Sequence, residues 1–164
     1  MTSRQEQLLN SFLASLDPVV EQPLYQELAA CLTALGYSPK KQRSYLVFKH
    51  ELHGKQMAKM GMKKTAPFFA LRFSACQNYS QTFADIISAA VAKPHYPPAN
   101  CMADGCGYCS GEAATRVYTH EDKHLCGARQ LEIPNIAPGD MAEIKRLIHE
   151  QHEYLLKHEA GVII

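Results

Sequence analysis

Four cysteines carry the most legible chemistry in this chain. Cys101, Cys106, Cys109 and Cys126 fall within 26 residues in the pattern C-x4-C-x2-C-x16-C. Thiolates are soft, tight ligands, and four of them complete a closed tetrahedral shell around Zn²⁺. With no exchangeable position left, such an ion does not activate water. It adds its binding energy to folding instead. The pattern therefore points to a structural metal rather than a hydrolytic one.

The local sequence supports that reading. Cys106-Gly107-Tyr108-Cys109-Ser110-Gly111 resembles a zinc knuckle, a tight turn whose glycines let backbone amides approach sulfur. Cys126-Gly127 resembles half of a second knuckle, and residues 115–119 and 124–129 are able to pair as a hairpin turning at Glu121, Asp122 and Lys123. Together they resemble a zinc ribbon with one departure, since the fourth ligand, Cys101, comes from upstream. Two other chemistries fit the cysteines. The C-x4-C-x2-C spacing with a distant fourth cysteine is similar to that of plant-type ferredoxins, which implies a [2Fe–2S] cluster. Cys106 and Cys109 are also spaced as a redox pair, although the strand-to-helix setting of that motif is missing. His120 and His124 flank the hairpin turn, and His124 is placed to substitute for a thiolate.

A second feature is charge. Residues 40–64 hold eight basic side chains against Glu51 alone, a local charge of +7; with +1 for the whole chain, the remainder carries −6. Tyr45 and His53 are interleaved with these cations, as on surfaces that track a nucleic-acid backbone. The competing explanation is that lysines on exposed strands block edge-to-edge pairing. Arg43, Lys49, Lys59 and Arg72 are the candidate ligand-binding residues; Arg72, between Leu71 and Phe73, either lines a pocket or faces solvent.

Other chemistry is thinner. His149-Glu150-Gln151-His152 has H-E-x-H spacing, which does not reproduce the geometry of the metalloprotease H-E-x-x-H motif. Cys31 lies on an apolar helical stripe and Cys76 at a strand end, both positions where thiols pack. No glycine-rich phosphate loop, nucleophile elbow or paired catalytic carboxylates are present.

The elements that must position these residues follow from periodicity. Apolar residues at helical spacing predict helices over 4–16, 22–35, 79–92 and from Asp140 to about residue 157, with Asp140 as N-cap and Glu143 completing a capping box. Alternation predicts strands over 43–50, 56–64 and 66–76, forming an antiparallel meander, and a further strand over 130–133. At 164 residues, 46% hydrophobic and 20% charged, the composition is that of a soluble globular chain of one domain. No apolar run reaches membrane-spanning length, and the polar start predicts no secretory signal and hence a cytoplasmic, reducing setting.

The expectation is thus an α+β domain over residues 1–164: a small antiparallel sheet packed by helices, with residues 97–130 as an embedded, zinc-ribbon-like hairpin lobe held by four cysteines. Functionally it reads as a non-enzymatic binding protein for an anionic ligand, whether nucleic acid, a nucleotide or a small acidic molecule. The alternatives are a redox or iron–sulfur protein and a protein–protein interaction module presenting Tyr108 or Arg116.

Overall fold

The computed structural model describes residues 1–93 and 117–159. Cys101, Cys106, Cys109, Tyr108, Arg116, the prolines at 94, 97 and 98, and the tail at 161–164 lie outside the described residues.

The chain begins with two helices, α1 (Ser3–Leu13) and α2 (Glu21–Ala34). Thr2 caps α1 as a capping box: its hydroxyl accepts the Gln5 amide while the Gln5 side chain takes the Thr2 amide. Asp17 shapes the turn between the helices, its carboxylate accepting the amides of Val19 and Val20 at 2.9 Å each. Gly36 ends α2 at φ +86°, a left-handed conformation that glycine adopts without penalty.

Four strands follow: β1 (Tyr37–Gln42), β2 (Tyr45–His50), β3 (Gln56–Lys63) and β4 (Ala66–Leu71). After α3 (Gln81–Ala92) come a hairpin, β5 (Val117–His120) and β6 (Lys123–Cys126), then β7 (Leu131–Ile133), a 3₁₀ turn at Pro138–Asp140 and α4 (Met141–Glu159). β1, β2, β3, β4 and β7 form one antiparallel sheet in that order, and β5 and β6 pair separately. The architecture is mixed helix and strand, with four α-helices among the described residues.

β1 has no period-2 signal in the sequence. It contains Pro39, which cannot donate to a ladder and is tolerated here because β1 is an edge strand. The strand predicted to Cys76 stops at Leu71. Its last residues turn into the core instead: Arg72 is 4% exposed and Phe73 is fully buried. Glu143 does not close a box on its own helix but accepts the Ser80 amide at 2.6 Å, tying α4 to the start of α3.

One register places the core. Leu46 pairs with Met60 and Met60 with Phe69; Phe48 pairs with Ala58 and Ala58 with Leu71. All six side chains face the helices, where Leu28 and Leu32 of α2, Phe83 and Ile87 of α3 and Ile144, Leu147 and Ile148 of α4 join them in a continuous cluster. The β5–β6 hairpin docks on this cluster. Tyr118 and Leu125 are buried in it, and Tyr118 bonds at both poles of its hydroxyl, accepting from the Phe73 amide and donating to the Arg129 carbonyl, 2.9 Å each.

Replacing a buried hydroxyl leaves its partners without water or protein to satisfy them. Tyr118→Phe should therefore destabilise the protein by about 1–3 kcal/mol, with a fall of roughly 2–12 °C in thermal midpoint, read by circular dichroism.

Candidate functional site

The sheet has two unlike faces. On the side away from the helices, one row runs Lys40, Val47, Lys59, Ala70, Glu132 across all five strands, and the next runs Gln42, Tyr45, Gly61, Phe68. Val47 and Ala70 are buried, yet neither belongs to the core cluster. Among the described residues, no helix covers this face.

Its chemistry is aromatic and cationic. Tyr45 and Phe68 meet edge to face across Gly61, ring centres 6.1 Å apart. The Lys59 ammonium sits 5.6 Å from the Tyr45 ring centre and that of Lys63 sits 5.2 Å from the Phe68 ring. Lys63 also pairs with Glu132. Gly61 makes the arrangement possible, because a Cβ there would come within 2.7 Å of Tyr45 Cβ and 3.1 Å of Phe68 Cε1. Two hairpin tips close this end of the sheet. Arg43 and Lys64 each adopt φ +55°, a left-handed conformation unusual for such side chains, and both are exposed.

The four candidate ligand-binding residues separate. Lys49 and Lys59 lie on the open face and Arg43 at its end. Arg72 lies on the other side, buried near Tyr37 and Tyr118, where its positive charge partly offsets the upward push of burial on both phenols.

Of the four clustered cysteines, Cys126 is described. It is half-buried at the end of β6, opposite Val117, and His124 alternates with the inward Leu125 on the same side as Cys126. His124 Nδ1 lies 3.2 Å from the Thr119 hydroxyl, and His120 Nε2 lies 3.0 Å from that of Ser88 on α3. Cys76 is a packing thiol. Its S–H donates to the Leu147 carbonyl, and burial pushes its pKa up to about 12, far from a nucleophile at neutral pH. Cys31 is half-buried on α2, its sulfur 4.0 Å from His149 Nε2 of α4, and burial raises its pKa as well.

A further grouping has almost no signature in the sequence. His50 at the end of β2, His53 in the following turn and His152 on α4 converge beside Tyr37. The H-x-x-H spacing of His50 and His53 is the only local sign; the third histidine is about 100 residues away in the chain.

No known protein family, curated protein or solved structure matches this chain. Function must therefore be read from the side chains themselves.

Gly61→Ala tests the open face directly. The added methyl meets backbone as well as side chain, 3.1 Å from Tyr45 Cα, so overpacking should cost about 1–3 kcal/mol in urea unfolding. It should also change the tyrosine fluorescence of the folded protein as Tyr45 and Phe68 are pushed apart.

Proposed function

We propose that this is a non-enzymatic binding protein that lays a single-stranded nucleic acid across the open face of its sheet. The observation that carries the reading is the presence of two lysines, Lys49 and Lys59, on interior strands beside a half-buried aromatic pair, Tyr45 and Phe68. Lys49 and Lys59 are on β2 and β3, inside the five-stranded sheet. Protection of a sheet edge does not account for them, since neither strand is an edge. Tyr45 and Phe68 supply the flat apolar surfaces on which bases stack, and the lysines and Arg43 supply charge for phosphates. A nucleotide or a small acidic molecule would use the same cations but fewer of them.

Within this reading, Cys101, Cys106, Cys109 and Cys126 hold one structural zinc ion, and residues 97–130 form a zinc-ribbon-like lobe on the single domain. The support is the thiolate set in the sequence, the observed β5–β6 hairpin and the half-buried place of Cys126 at its end. The zinc stiffens the fold and takes no part in chemistry.

Two experiments test this. Fluorescence anisotropy with a labelled single-stranded oligonucleotide should show affinity falling with salt, and Lys59→Ala should reduce the slope of log K against log salt by about 0.7. Tyr45→Leu should weaken binding by about 1–3 kcal/mol with little change in that slope. Binding that is indifferent to salt, or unchanged in both variants, overturns the reading. Separately, metal analysis should find zinc released by Cys126→Ser together with a lower thermal midpoint; iron with visible absorption would instead identify a [2Fe–2S] centre.

A further inference from the structure

We propose that His50, His53 and His152 form a second metal site, for a divalent transition ion such as zinc, nickel or cobalt, separate from the cysteine cluster. One ring nitrogen from each histidine lies within 4.8 Å of the other two. His50 and His152 are buried and His53 is half-buried. Three imidazoles gathered from β2, its turn and α4 stand beside a core made of apolar side chains.

The surroundings suit a metal better than they suit bare packing. Tyr37 Oη lies 3.2 Å from His152 Nδ1, the kind of oxygen partner that fixes the orientation of a ligating ring. Gly36 packs closely against the His50 ring, since a Cβ at that position would lie 2.9 Å from His50 Nε2, so glycine there is what admits the ring.

In all three rings Nδ1 has a hydrogen-bonding neighbour in the protein. His50 Nδ1 accepts from the Leu52 and His53 amides at 3.3 and 3.4 Å, and His53 Nδ1 from the Lys55 amide at 3.2 Å. Ligation in the proposed site is assigned to Nε2. For His50 and His53 it moves the ring proton to Nδ1 and gives up amide contacts that are already long. The nitrogens must also draw in, from the 4.8 Å limit to about 3.4 Å for bonds of about 2.0–2.1 Å to zinc. The rings of His50 and His53, stacked at 4.0 Å and 5°, must tilt toward each other to do so. Both adjustments weaken the site relative to a preformed one. Imidazole ligands select zinc, nickel, cobalt and copper over magnesium or calcium. Three protein ligands also leave a fourth position for water, unlike a closed shell of four thiolates.

The test uses the full chain at pH 7.5, with Co²⁺ and Ni²⁺ as probes. Metal stoichiometry should fall by one ion per chain in His53→Gln and in His152→Gln, whatever the cysteines hold. Any cobalt–thiolate charge-transfer band should be unchanged in these variants. Saturating Ni²⁺ should raise the thermal midpoint of the wild type by roughly 5–10 °C, and this rise should disappear in both variants. Should a variant not fold, the wild type still decides: Ni²⁺ should broaden the ring proton NMR signals of His50, His53 and His152. Equal stoichiometry in wild type and folded variants, or sharp signals from these three rings in saturating Ni²⁺, would overturn the proposal.

Discussion

The antiparallel register between β2, β3 and β4 is the constraint on which the rest of the molecule depends. Side chains alternate across a strand with a period of two, so a slip of one residue would exchange the two faces of the whole sheet. With Phe48 opposite Ala58 and Ala58 opposite Leu71, the apolar set faces the helices. By the same geometry Tyr45, Lys59 and Phe68 must face away. The open basic face is therefore not an independent surface feature. It is the complement of the core, and the packing that fixes one fixes the other.

The irregularities in this sheet are confined to its ends, and each has a consequence there. The register shift at Phe48/Lys49 leaves Met57 of β3 as the extra residue, so the bend falls on β3, while β2 keeps its register against β1 and places His50 opposite Tyr37. His50 then stands against Tyr37 and α4, with His53 stacked upon it. At the opposite end the hairpin tips at Arg43 and Lys64 are left-handed, a conformation that glycine or asparagine would adopt with less strain. Keeping cations at both tips concentrates positive charge beside Tyr45 and Phe68, consistent with the proposed use of that end of the sheet.

The β5–β6 hairpin shows how a small element becomes part of the domain. Two short strands are marginal by themselves. Tyr118 and Leu125 bury the hairpin's inner side in the common core, and the Tyr118 hydroxyl ties it to the segment after β4 and to the start of the run into β7. Cys126 is thus presented from a docked strand rather than from a free loop. A metal held there would be anchored to the fold on at least one side.

The helices, the meander and the hairpin were legible in the sequence because each is specified by neighbours in the chain: a stripe from Leu8 to Leu16, another from Met141 to Leu155, alternation from Phe69 to Leu71. The basic character of residues 40–64 was legible for the same reason. β1 was not, since Ser38-Pro39 carries no strand pattern and becomes a strand only because β2 offers it an edge. Nor was the fate of Arg72, whose place between two apolar residues fits either side of a sheet until the strand ends at Leu71 and the chain turns inward. The meeting of His50, His53 and His152 was out of reach altogether. Local periodicity records which way a side chain points along its own element, whereas proximity across about 100 residues is decided only when α4 packs against the end of the sheet.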